Sequence, residues 1–249
     1  MNAFSVHSME TYRVIRIPVR HSSVLCLSYY SHVPLLFPLS FLFHFPPPSC
    51  IVQPRPTHYC TRMGAQLQQL KPKGVTVSAM LAKAVAMVLE KNEIMNAAYD
   101  TSGAIKYNSD INVAMAVALD GGLITPTLQQ ANTKDIYTLG REWKELVGKA
   151  KAKTLKPADY NTGTFVISNL GMFGVSQFDA ILPVGVGTIL AISASLPVVV
   201  QKSNGSFGVE KKMTVTVTCD HRHIYGADAA TFLKDLADLL ENNTKDLLF

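Results

Sequence analysis

Acidic side chains are nearly missing from the front of this 249-residue chain. Residues 1–62 hold Arg13, Arg16, Arg20, Arg55 and Arg62 against Glu10 alone, while the remainder carries 18 basic and 17 acidic residues. The net charge of +5 therefore sits mostly in the front segment and not on the body. A nucleic-acid-binding body would concentrate positive charge on its folded surface, so that function class is set aside. Cysteine is scarce in the same uneven way, with Cys26, Cys50 and Cys60 in front and Cys219 alone behind. That excludes a disulfide framework or paired metal-ligand spacing, and the body reads as intracellular and metal-free. Long apolar runs are lacking too. Val33–Phe43 is broken by Pro34 and Pro38 and followed by His44 and Pro46–Pro48, whereas a membrane span needs about 20 apolar residues. Internal repeats are absent.

What is present begins near Lys71-Pro72-Lys73-Gly74. Thr76 or Ser78 can cap a helix whose apolar positions Val77, Met80, Leu81, Ala84, Val85, Val88 and Leu89 recur at helical spacing. Asp110–Leu119 reads as a largely buried strand, and Asp120-Gly121-Gly122 turns it into Leu123–Pro126. A second helix, about Thr133 to Lys153, gathers Ile136, Leu139, Trp143, Leu146, Val147 and Ala150 on one face; its lysine-rich outer face reads as solvated surface. A short strand, Thr164–Ser168, leads into the glycine-bearing loop Asn169–Gly174. Strands follow at Thr188–Ser195 and Val198–Gln201, with a turn at Asn204-Gly205. Met213–Cys219 alternates strictly, threonine on one face and apolar residues on the other. A polar turn, Asp220–Gly226, precedes a closing helix built on Ala230, Leu233, Leu236, Ala237 and Leu240. Strands and helices mix without a regular βαβ repeat, which predicts an α+β sheet sandwiched by helices.

Residues 1–65 show neither period and are expected to be unstructured. They are either a transit peptide, being rich in serine and arginine and poor in acid, or sequence not native to the protein. Residues 66–249 form the domain. Its chemistry-bearing stretch is Asp220-His221-Arg222-His223-Ile224-Tyr225-Gly226-Ala227-Asp228, between a strand end and a helix start, where a rigid scaffold presents reactive side chains. On residues alone, His221 is a general base or a structural histidine, and Asp220 with Arg222 a support for the loop or a plain ion pair. Ser168 is a hydrogen-bond donor or a strand end. Cys219 beside His221 is a rival nucleophile, although its place on the apolar face favours a buried, inert thiol.

The segment resembles the His-x-x-x-Asp-Gly motif of the dihydrolipoamide acyltransferase family, the core subunits of 2-oxo-acid dehydrogenase complexes. Asp120–Pro126, Gly163–Gly171 and the closing Phe232-Leu233 helix resemble the same family in the same order. Asp135–Leu139 and His223–Asp228 look most like its plastid pyruvate dehydrogenase branch.

The resemblance implies a chloramphenicol acetyltransferase-like mixed sheet with flanking helices. It implies acetyl transfer between dihydrolipoamide and coenzyme A, both as substrates, with no metal. His221 would be the base and Ser168 the oxyanion donor. Asp120, Gly121, Gly122, Thr125, Asn169 and Gly171 would line the substrate and coenzyme A site, and Asp220, Arg222 and Tyr225 would support the loop. The chemistry suits an imidazole: ordinary pKa values of about 6.5 for histidine and 8.5 for a thiol differ by only about 2 units. The resemblance further implies a homotrimer-based core whose sites lie between subunits, pyruvate dehydrogenase and dihydrolipoamide dehydrogenase as partners, neither nucleic acid nor membrane, and a plastid stroma or, alternatively, a mitochondrial matrix.

Two departures stand out. Tyr225 replaces the motif's acid, and the match fades before about Gln66 with no lipoyl-lysine hairpin in view. An N-terminally truncated catalytic domain is therefore expected, its lipoyl arm carried on another domain or chain. A non-catalytic core subunit or an inactive truncated product is the alternative.

Overall fold

The computed structural model describes residues 15–19, 22–26, 49–53, 59–100, 102–202 and 204–248. In chain order the described elements are β1 (Ile15–Val19), β2 (Ser22–Cys26), β3 (Ser49–Gln53), α1 (Tyr59–Leu70), α2 (Val77–Leu89), β4 (Ala98–Tyr99), β5 (Ile105–Lys106), β6 (Val113–Met115), β7 (Val117–Leu119), β8 (Gly122–Ile124) and β9 (Thr127–Leu128). They continue with α3 (Ile136–Lys151), β10 (Phe165–Asn169), β11 (Thr188–Gln201), β12 (Phe207–Asp220) and α4 (Gly226–Glu241). The main sheet runs β1-β2-β3-β12-β11-β10-β6-β9, and β4-β5 and β7-β8 form separate two-stranded ribbons. β6, β10 and β11 are parallel, and the other pairs are antiparallel, so the sheet is mixed.

α2 and α3 form where the apolar period of 3.6 meets a start signal. The Thr76 hydroxyl accepts from the Ala79 N–H and caps α2. The Asp135 carboxylate accepts from the N–H groups of Tyr137 and Thr138 and caps α3. Their inner faces share one core with the sheet: Met80, Val85, Leu139, Trp143, Phe232 and Leu236 pack with Val113, Phe165, Ile167, Leu190, Val215 and Val217. Leu70 of α1 joins that core as well. Ala114, Val166 and Ile189 point to the opposite face, where Ala180, Leu182 and Val186 cover them.

The mixed sheet with flanking helices is as the sequence led us to expect, with three differences. The described helices pack on one face and are not spread over both, because the segment around 180–186 already occupies the other. Thr216 and Thr218 of β12 are buried alongside Val215 and Val217. The strand expected over Asp110–Leu119 divides at Ala116, whose N–H donates to the Ile167 carbonyl while the flanking residues join different sheets.

β11 is conversely one strand where two were expected, with a register shift between Ile192 and Ser195 taking up the break. Of the segment up to residue 65, strands β1, β2, β3 and the start of α1 are described. The remainder of that expectation lies outside the described residues. Among the described residues no single helix is long and apolar enough to cross a membrane.

Candidate active site

The candidate residues collect at two ends of the sheet. Asp120, Gly121 and Gly122 form the exposed tip of the β7-β8 ribbon, which leaves the sheet directly beyond β6. Thr125 follows, half-buried, and the Pro126 carbonyl accepts from the Met115 N–H. Next to β6, β10 brings Ser168 and Asn169 to the same end. The Ser168 hydroxyl is half-buried and has no hydrogen-bond partner among the described residues. Asn169 is committed to its own loop, its Oδ1 accepting from the Gly171 N–H at 2.9 Å. A Cβ at Gly171 would meet that oxygen at 3.1 Å and the Ser193 carbonyl at 3.0 Å, so a side chain there would press on the turn and on β11. Ser168, Asn169 and Gly171 are thus one turn, in which Asn169 and Gly171 hold the shape and Ser168 keeps a hydroxyl to offer.

His221 lies at the other end. β12 runs against β11, and its last residues Cys219 and Asp220 stand beside Thr188 and Gly187, where β11 begins. Ser168 is level with Ala191, and Ala191 with Thr216. Five residues along β12 and two strand spacings across put Ser168 and His221 of one chain roughly 15–20 Å apart, beyond the reach of both side chains together.

The turn around His221 is held by the residues on either side of it. Asp220 is buried, and its carboxylate accepts from Arg222 Nε at 3.0 and 3.1 Å and from Nη2 at 2.6 Å. The same carboxylate accepts from the Arg222 backbone N–H at 3.1 Å, which closes a local turn with His221 at its centre. Hydrogen bonding to Asp220 pushes Arg222 further above its already high ordinary value, so the cation is permanent. The carbonyl of Asp220 accepts from the N–H groups of His223 and Ile224. His221 itself is half-buried, and the Tyr225 ring meets it edge-on at 5.7 Å between centroids and 76°. Although the motif's acid is missing at Tyr225, Asp228 supplies a carboxylate to the same turn by accepting from the Tyr225 N–H at 3.0 Å.

Several neighbours of this turn were not legible in the sequence. The Arg222 guanidinium lies over the Tyr99 ring, 4.0 Å from its centroid, and the His223 ring stacks on Tyr99 at 6.2 Å and 24°. His223 is buried and its Nε2 is 3.2 Å from the Ala97 carbonyl. A Cβ at Gly187 would collide with that carbonyl and meet His223 Nε2 at 3.1 Å, so only glycine lets these backbones close. Cys219 is fully buried among core side chains, out of reach of an incoming thioester.

Residues 57–248 match the family described as 2-oxoacid dehydrogenases acyltransferase (catalytic domain). The chain is 56% identical over 187 residues to the dihydrolipoyllysine-residue acetyltransferase component 5 of the chloroplastic pyruvate dehydrogenase complex of Arabidopsis thaliana, covering 75% of this chain and 40% of that protein. It is 37% identical over 178 residues to component 3 of the mitochondrial complex of the same plant, covering 71% of this chain and 33% of that one. The chain therefore spans about two fifths or less of the length of these relatives.

Among solved structures, it superposes with a TM-score of 0.72 and 28% identity on the Azotobacter vinelandii dihydrolipoamide acetyltransferase, covering 83% of this chain and 85% of that one. That enzyme was investigated for the roles of one serine, one histidine and one asparagine in its catalytic mechanism. Chloramphenicol acetyltransferase shares the fold, at a TM-score of 0.52 and 17% identity over 80% of this chain and 91% of that one. Through residues 57–248 this chain belongs to the 2-oxoacid dehydrogenase acyltransferases, as a catalytic domain of that family.

Proposed function

We propose that this chain transfers an acetyl group between dihydrolipoamide and coenzyme A in a plastid pyruvate dehydrogenase complex, with His221 as general base and Ser168 as oxyanion donor. The observation that carries the reading is the clamped turn: Asp220 and Arg222 fix the backbone on both sides of the half-buried His221. In the direction of acetyl-CoA formation, His221 takes the proton from the coenzyme A thiol and the sulfur attacks the thioester carbon. The tetrahedral oxyanion then accepts a hydrogen bond from the Ser168 hydroxyl. Collapse breaks the bond to the dihydrolipoyl sulfur, and that thiolate recovers the proton from the imidazolium. One thioester is exchanged for another, and no acyl-enzyme is required.

Because Ser168 and His221 of one chain sit at opposite ends of the sheet, the reading joins Ser168 of one subunit to His221 of the next in a trimer-based core. Similarity to the cubic core of a pyruvate dehydrogenase multienzyme complex, at a TM-score of 0.71, supports an assembled core. The lipoyl arm comes from another domain or chain, and the pyruvate dehydrogenase and dihydrolipoamide dehydrogenase components are the partners. Chloroplastic relatives at 56% and 53% identity support the plastid stroma over the mitochondrial matrix, whose relative stands at 37%. Asp120, Gly121, Gly122 and Thr125 border the Ser168 half-site as its substrate-side ribbon.

One observation favours a second reading. In the A. vinelandii enzyme the asparagine lies four residues beyond the histidine. Four residues beyond His221 stands Tyr225, 58% exposed, which offers a phenol in place of an amide or acid. A non-catalytic core subunit is the alternative that this exchange supports. Steady-state acetyl transfer from acetyl-CoA to free dihydrolipoamide separates the two. The catalytic reading expects turnover by the wild-type chain and a loss of at least about 10²-fold in kcat for His221→Ala. Equal rates for the two proteins would remove His221 from the chemistry.

A further inference from the structure

We propose that Tyr99, outside every stretch quoted above as resembling the family and more than a hundred residues from the turn, is a positioning residue for His221. It acts through the Arg222 guanidinium and the Asp220 carboxylate, and the inference rests on the reading of His221 as the base. The Asp220–Arg222 clamp spans His221, so the backbone on both sides of the imidazole is only as fixed as that ion pair. Asp220 cannot drift: its side chain is 4% exposed, its N–H donates to the Gly187 carbonyl, and its own carbonyl accepts from His223 and Ile224. Arg222 can, because its side chain is 37% exposed and an arginine facing water gains little from one surface partner.

The Tyr99 ring closes that escape. The planar guanidinium lies over the ring at 4.0 Å, a stacking that both the charge and the flat shape of arginine favour. Water is thereby kept from one face of the pair. Tyr99 is itself placed firmly. It ends β4, paired with Ile105 of β5, its ring stacks with the buried His223, and the Ala97 carbonyl two residues earlier lies 3.2 Å from His223 Nε2. Two residues before Ala97, the Met95 carbonyl accepts from the Thr188 hydroxyl at the start of β11. The ribbon, β11 and the end of β12 are thus locked together around Gly187, and Tyr99 carries that rigidity to Arg222.

The test uses the full chain in its assembled state, with acetyl-CoA and free dihydrolipoamide. Tyr99→Phe keeps the ring face and is expected to hold kcat within about twofold of wild type. Tyr99→Leu keeps apolar bulk without the ring, and kcat is expected to fall about tenfold while KM for both substrates stays within about twofold. Arg222→Lys should fall similarly, and the double variant with Tyr99→Leu no further than the worse single one, because both break the same stack.

With histidine labelled at the imidazole C2, the resonance assigned through His221→Ala should move or broaden in Tyr99→Leu and hold its place in Tyr99→Phe. The proposal is overturned by wild-type kcat and an unmoved His221 resonance in folded Tyr99→Leu, by equal losses in the phenylalanine and leucine variants, or by additive losses in the double variant. Should Tyr99→Leu not fold, Arg222→Lys decides: a lowered kcat at unchanged KM supports the proposal and a wild-type kcat overturns it. Full activity in His221→Ala would sink the reading of His221. An inactive His221→Ala beside a fully active Tyr99→Leu would sink this inference alone.

Discussion

Ser168 ends an apolar strand with a half-buried hydroxyl that no described residue engages, while its neighbours Asn169 and Gly171 hydrogen-bond each other. A donor left uncommitted beside a rigid turn suits an oxyanion that exists only during reaction. Ser168→Ala is therefore expected to lower kcat by about 10²–10³-fold with little change in KM. Unchanged kcat in steady-state acetyl transfer would return Ser168 to a strand end. Lys83 shows the opposite case, a charge whose work is structural. It is 3% exposed in α2 and donates to the carbonyls of Asn132 and Lys134, both at 2.8 Å. Burial pushes its pKa below the ordinary 10.5, against the pull of Glu90 and Asp135. The unfolded chain then holds the proton more tightly than the folded one, so this residue's contribution to stability rises with pH between the folded value and the ordinary one. Lys83→Met strands two carbonyls and should cost about 1–3 kcal/mol in urea unfolding, with acetyl transfer per folded molecule unchanged. His221, Asp220 and Arg222 could be read in the sequence because they are adjacent. Tyr99 could not, since a ring beneath a guanidinium leaves no spacing pattern behind.

At the scale of elements, legibility followed periodicity. α2, α3 and α4 each repeat apolar residues at 3.6, and Thr76 and Asp135 announce two of the starts. β11 was harder, because Ser195 and Pro197 interrupt its apolar run where the strand leaves the core and Val198, Val199 and Val209, the partner of Val199, are exposed. Away from a core, nothing sorts one face from the other. β1, β2 and β3 are five residues each, too short to declare a period.

The cap of α3 provides a test with a pH signature. Hydrogen bonding, first from the Thr138 hydroxyl, holds the exposed Asp135 carboxyl below its ordinary 3.8. The cap is therefore at full strength above the ordinary value and fades as pH falls through the lower folded one. Asp135→Ala should cost about 1 kcal/mol at neutral pH, and the difference from wild type should shrink in urea titrations taken below about pH 4. A difference independent of pH would mean that the carboxylate is not the cap.

The whole molecule divides its candidate site between the two ends of one sheet, and this follows from strand direction alone. β10 carries Ser168 toward one end, while the antiparallel β12 carries His221 to the other. Motif order along the chain gives no hint of that separation. A neighbouring copy must bring the missing half if the two residues cooperate, and the most direct measurement is complementation. Ser168→Ala and His221→Ala chains are each inactive on this account. Refolded together in equal amounts, they should assemble sites that take Ser168 from one variant and His221 from the other, and recover about a quarter of the wild-type acetyl-transfer rate. A mixture that stays as inactive as its components, while forming mixed assemblies, would contradict a site shared between chains.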